Sequence, residues 1–159
     1  MVRDGAVVIV LLRDPVERFE SAMRHRESLP DFPGDHDREG LRSWVPGVVS
    51  DAQWAGMYAT HLQPWAATFG RERLHVFQYE KVRLDPQRAV DEVWRALGCN
   101  PMPLSDVDTL SATTSDRSRP WRWDQLPQLR ERLVELYRPE VDHLVRDWGI
   151  DRVLWPNFR

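Results

Sequence analysis

Cysteine is almost missing from this chain: Cys99 is the only one in 159 residues. A lone thiol excludes an internal disulfide and any cysteine-based metal cluster, and at the end of an apolar helical stretch Cys99 reads as packing. Lysine is just as scarce, with Lys81 the only one among 22 cationic side chains. The arginines suit forked recognition of phosphate or carboxylate, although a GC-rich genome would produce the same skew. A formal net charge of −3 supplies no basic field, which argues against a general nucleic-acid binder. No apolar run approaches the roughly 20 residues of a membrane span. Ala6–Leu12 is too short for a signal peptide and follows Arg3 and Asp4, so a cytoplasmic protein without a membrane partner is expected. His25, His61 and His75 lack metal-ligand spacing, His36 and His143 add nothing to them, and no metal is expected. A GxxxxGK[ST] phosphate loop is also missing, which argues against a nucleotide kinase.

What is present is an ordinary globular balance, 42% apolar and 30% charged, in a chain long enough for one domain spanning 1–159. Ala6–Leu12 is continuously apolar and β-branched, the pattern of a parallel strand covered on both faces. Asp14 then reads as an N-cap, with Pro15 in the first helical position and Glu17 completing a capping pattern. The helix that follows buries Val16, Phe19 and Met23, which leaves Arg18, Ser21 and His25 on the opposite face. Pro and Gly scattered through Glu27–Ser50 mark a long loop. From Asp51 to Gly70, Trp54, Met57, Tyr58, Leu62, Trp65 and Phe69 recur at helical spacing, with Pro64 expected to kink or restart the helix.

Arg73–Tyr79 reads as a second strand, and Glu80 behind it as the partner of an arginine. Asp85–Pro86 opens another helix, with Val90, Val93, Trp94 and Leu97 as its core stripe and Gly98 as its stop. Asn100–Asp124 is irregular. Leu126 to Tyr137 form a last amphipathic helix that Pro139 interrupts or restarts ahead of Val141, Leu144, Val145 and Trp148. Trp44, Trp121 and Trp123 fall in predicted loops, where they either stack on a sugar or aromatic acceptor or anchor the loop to the core. Strands alternating with helices imply an α/β parallel sheet flanked by helices. Two strands make a small one, and edges left open could be covered by a second copy in a homo-oligomer.

The stretch "LLRDPVERFESAMRHR" resembles the sulfotransferases that use 3′-phosphoadenosine 5′-phosphosulfate (PAPS). In that family a strand ends in arginine, and a serine eight residues later lies on the next helix; together they bind the nucleotide's 3′-phosphate. Arg13 and Ser21 stand at that spacing. The heparan sulfate N-sulfotransferase type, with a helix near R-A-Y-S-W-Y-Q-H-Q, also matches Arg18 and His25. A second block, "YATHLQPWAATFGRERLHVFQYEKVRLDPQRAVDEVWRALGC", aligns Tyr58, His61, Trp65, Asp85, Pro86, Leu97 and Gly98 with the family pattern. In a third, "SDRSRPW", Arg117 falls on the arginine of a basic loop that returns to the 3′-phosphate.

The resemblance implies a P-loop-NTPase-like sulfotransferase fold, PAPS as sulfuryl donor and no metal. It implies a carbohydrate or small-molecule acceptor bearing a hydroxyl or amine. Arg13, Ser21 and Arg117 would hold the nucleotide, Tyr58 and His61 would meet the acceptor, and His25 would take its proton. Arg18 reads as structural, paired with Glu17 or Asp14. The family's 5′-phosphosulfate loop precedes the matched strand, and no counterpart occurs here. The expectation is therefore an N-terminally truncated, partial domain, either an enzyme once the missing half-site is supplied or a non-catalytic remnant or subunit binding adenosine 3′,5′-bisphosphate or a protein partner.

Overall fold

A computed structural model describes residues 6–27, 50–51, 53–104 and 127–159. Arg117, Trp44, Trp121 and Trp123 lie outside the described residues, as do most of the two expected irregular segments. Strand β1, Val8–Leu12, pairs in parallel with β2, Leu74–Gln78, in a register that sets Val8 beside Leu74 and Leu12 beside Gln78. Side chains alternate across a strand. Val8, Val10 and Leu12 thus share one face with Leu74 and Val76, and that face meets the core. Ile9 and Leu11 point the other way and are 46% and 55% exposed. The expectation that β1 is covered on both faces is corrected: an uninterrupted apolar run gives two apolar faces, but the described helices cover only one.

Helix α1, Pro15–Glu27, follows the Asp14 cap directly and buries Val16, Phe19 and Met23, as its spacing predicts. Helix α2 is Tyr58–Phe69. The stretch from Asp51 breaks at Gly56–Met57, where i→i−3 bonds tighten the chain, and not at Pro64, which lies inside a continuing helix. The cause is packing. A Cβ on Gly56 would lie 2.5 Å from Cζ of the buried Tyr137, so only glycine lets the backbone pass there. Helix α3, Tyr79–Leu84, leads into α4, Pro86–Ala96, whose N-cap Asp85 accepts from Arg88 N–H at 3.0 Å. The expected core stripe of α4 is corrected as well. Val90, Val93 and Trp94 are only half-buried and Leu97 is half exposed, because α4 packs on the short α3 and not on the main core. Cys99, read as packing, is exposed.

Helix α5, Pro127–Trp148, runs unbroken through Pro139. Buried Tyr137 and Val141 anchor the chain on either side of that proline, and tertiary packing outweighs the lost hydrogen bond. The helix lies against α1 and α2. Together with the inner sheet face they enclose Phe19, Met23, Leu62, Leu133, Tyr137 and Leu144. Each such side chain contributes about 1.5–3 kcal/mol on burial. After Gly149 the chain returns to the sheet in two 3₁₀ turns, Arg152–Leu154 and Pro156–Phe158, which bury Trp155 and Phe158. Gln78 fastens this return: its amide accepts from Asp151 N–H at 3.0 Å and donates to Asp151 C=O at 2.9 Å.

Candidate functional site

The site is built where the two strands stop. Because Leu12 and Gln78 are register partners, the next residues, Arg13 and Tyr79, leave the same C-terminal edge of the sheet. Open α/β sheets present ligand sites at that edge. The Arg13 guanidinium carbon lies 5.3 Å from the centre of the Tyr79 ring, and Arg83 approaches the same ring at 5.8 Å. Sequence reasoning missed Tyr79. Counting forward from Arg13 along α1 does not reach it, whereas the strand register does.

Arg13 uses only part of its fork. Nη2 donates to Glu17 Oε2 at 2.8 Å, one turn into α1, while Nε is buried without a hydrogen-bond partner. A buried guanidinium N–H without an acceptor is costly in a folded protein and calls for a partner such as a water or an anion. Glu17 therefore pairs with Arg13 and not with Arg18, contrary to the expected Arg18 pairing. The Nη1 of Arg18 is likewise buried without a partner, and its charge acts on the phenols of Tyr58 and Tyr137.

Both phenols are held in the neutral form. Burial drives the Tyr58 hydroxyl far above the usual phenol range, with the Arg18 charge and a hydrogen bond from the Arg13 backbone drawing it part of the way back. Burial likewise pushes Tyr137 up to about 12, again opposed by Arg18. Each is an O–H donor at neutral pH and no base; Tyr137 donates to Gln53 C=O at 3.3 Å.

The remaining candidates are spread along the helices. Ser21 and His25 are exposed on α1, one turn apart on the face opposite Phe19 and Met23. His61 sits on α2 with Nε2 2.8 Å from Trp54 C=O and its ring edge-on to Trp54 at 4.7 Å. Tyr58 thus joins Arg13 and Arg18, whereas His61 turns to Trp54.

Beneath Arg13 lies a buried polar network. Asp14, wholly buried, accepts through Oδ1 from Val16 N–H at 2.9 Å and Glu17 N–H at 3.3 Å. Its Oδ2 accepts from the side-chain amide of Asn157 at 2.9 Å and the Asn157 backbone at 3.3 Å. Burial raises its carboxyl above the ordinary value, and the bonds from Asn157, Glu17 and Val16 counteract this. Glu80 takes the Asp14 N–H at 3.2 Å and the Trp155 indole N–H at 2.8 Å. The arginine partner expected for Glu80 is replaced by these two donors. Among the described residues, no three His, Cys, Asp or Glu side chains are grouped to hold a metal ion.

A strand leading into a half-satisfied arginine, an N-capped helix carrying a serine, and a parallel partner strand leading into a tyrosine meet at one sheet edge of an α/β domain. Residues 1–143 match the family model of the sulfotransferase domain, and the chain belongs to that family. It is 29% identical over 110 residues to the bifunctional heparan sulfate N-deacetylase/N-sulfotransferase 4 of Mus musculus, an alignment covering 60% of this chain and 12% of that protein. Its fold superposes on the crystal structure of a sulfotransferase from Alicyclobacillus acidocaldarius with a TM-score of 0.64 at 25% identity, covering 94% of this chain and 57% of the other. The chain thus spans about one eighth of the first relative's length and little over half of the second's.

Proposed function

We propose that this chain binds PAPS and takes part in sulfuryl transfer to a hydroxyl or amine of a carbohydrate or small-molecule acceptor. PAPS, when bound, would supply the sulfuryl group, which leaves its phosphate oxygen for the acceptor as the acceptor loses a proton. Arg13 would hold the 3′-phosphate through the N–H that now lacks an acceptor, and Ser21 would add a hydroxyl donor from the exposed face of α1. Arg117 would complete the cation set. Tyr58 and His61 are assigned to the acceptor side. His25 is assigned the acceptor's proton, since an imidazole changes charge near neutral pH.

The observation that carries this reading is the buried, unfilled Nε of Arg13 at the sheet edge beside Tyr79. Calorimetry with adenosine 3′,5′-bisphosphate tests it. Folded protein should bind, and Arg13→Ala should weaken binding by about 1.5–3 kcal/mol, the worth of a charge-assisted hydrogen bond. A folded sample that takes up no bisphosphate overturns the assignment. Turnover of PAPS with a sugar amine then separates a transferase from a domain that only binds the nucleotide.

A further inference from the structure

The geometry points to a positioning role for the C-terminal turns: Trp155 and Asn157, acting through Glu80 and Asp14, set Arg13 and the Tyr79 ring beside it at the sheet edge where the anion is proposed to bind. This inference rests on the proposed nucleotide reading. Arg13 is followed by Asp14 and Tyr79 by Glu80, so each has a carboxylate as its immediate neighbour, Asp14 wholly buried and Glu80 half-buried. The two carboxylate residues are joined by the bond from Asp14 N–H to Glu80 Oε1. Each is then held from the same short tail, Glu80 by the Trp155 indole and Asp14 by both N–H groups of Asn157. Trp155 is fully buried, so its N–H to Glu80 is shielded from water and any alternative partner would require the tail to move.

The consequence is geometric. Arg13 and Tyr79 emerge from strand ends that have no further ladder partner beyond the Leu12–Gln78 pair. Their directions depend on what holds residues 14 and 80, and among the described residues that includes the tail, the first turn of α1 and, for residues 79 and 80, the start of α3. Removing the tail's hydrogen bonds would let the guanidinium and the ring drift apart, and a small misplacement is enough to weaken a charge-assisted contact.

The test compares Trp155→Phe, which keeps an aromatic ring but loses the N–H, and Asn157→Ala with a plain core truncation, Val141→Ala. Val141 is buried in α5 and takes no part in the network. Affinity for adenosine 3′,5′-bisphosphate is measured by calorimetry at a temperature where circular dichroism shows all three folded. Trp155→Phe and Asn157→Ala should each bind about five- to tenfold more weakly, with Arg13→Ala in the Trp155→Phe background costing less than it does alone. Val141→Ala should lower the melting temperature and leave affinity within twofold. If wild type binds and the tail variants bind equally well, or lose affinity only in step with Val141→Ala, the positioning role is overturned and the nucleotide reading stands. If folded wild type does not bind, both fall together.

Discussion

Glu17→Gln separates an arginine that belongs to its ion pair from one that belongs to a ligand. Glu17 occupies Nη2 of Arg13 at 2.8 Å, and its side chain is 38% exposed, so its charge acts largely through water. A phosphate in the remaining arm of the fork would carry close to two negative charges and stand about 5 Å from the Glu17 carboxylate. At a water-like dielectric that repulsion amounts to about 1.5 kcal/mol. Against it stands the pair's help in holding Arg13 in place, at most about 1 kcal/mol for an interaction this exposed. Glu17→Gln should therefore tighten adenosine 3′,5′-bisphosphate by about 0.5–1.5 kcal/mol, or about two- to twelvefold. Titration calorimetry at about 0.03 M and 0.3 M salt checks both size and cause, because screening should erode the gain. Weaker or unchanged binding at low salt would show that the carboxylate does not compete with the nucleotide, and the placement of the phosphate in the Arg13 fork would have to be abandoned.

Two further substitutions examine the scaffold. Gly56→Ala drives a methyl into the ring of Tyr137 and should cost about 1–3 kcal/mol in urea denaturation; a neutral result would mean the break ahead of α2 is not set by that contact. Asp14 has a raised carboxyl in the folded chain, so the folded state holds its proton to higher pH than the unfolded state does. The associated stability is fully present below the ordinary carboxyl value and is lost as pH rises through the folded one. The stability of wild type relative to Asp14→Asn should accordingly decline from about pH 3.5 towards neutrality. A difference that instead grew with pH would reverse the assigned shift.

Much of the fold was legible because it rests on local signals. The Asp14–Pro15 and Asp85–Pro86 starts, the buried face of α1 and both strands follow from caps and periodicity. What failed depended on distant partners. From sequence, Pro64 is expected to kink or restart its helix and Pro139 to interrupt or restart its own, yet both helices run on through them, with buried Tyr137 and Val141 flanking Pro139. The interruption at Gly56 is dictated by Tyr137 some eighty residues away. The site divides in the same way. Arg13 and Ser21 stand out through sequence spacing, whereas Tyr79 requires the strand register and the partners of Glu80 come from the two distant ends of the chain, Asp14 and Trp155. The structure pairs Arg13 with Glu17 and still leaves the Nε of the guanidinium without an acceptor.

The bond between Asp14 and Glu80 spans 66 positions, and those between Asp14 and Asn157 span 143. Contacts of such separation cannot form by local zipping, since the intervening chain must first surrender its freedom to bring them together. Helices such as α1 and α5 can gather early, while the edge that carries Arg13 acquires its shape only when the last turns of the chain arrive. Amides around residues 14, 80 and 155–157 should then exchange with solvent through partial openings that leave the helical core closed.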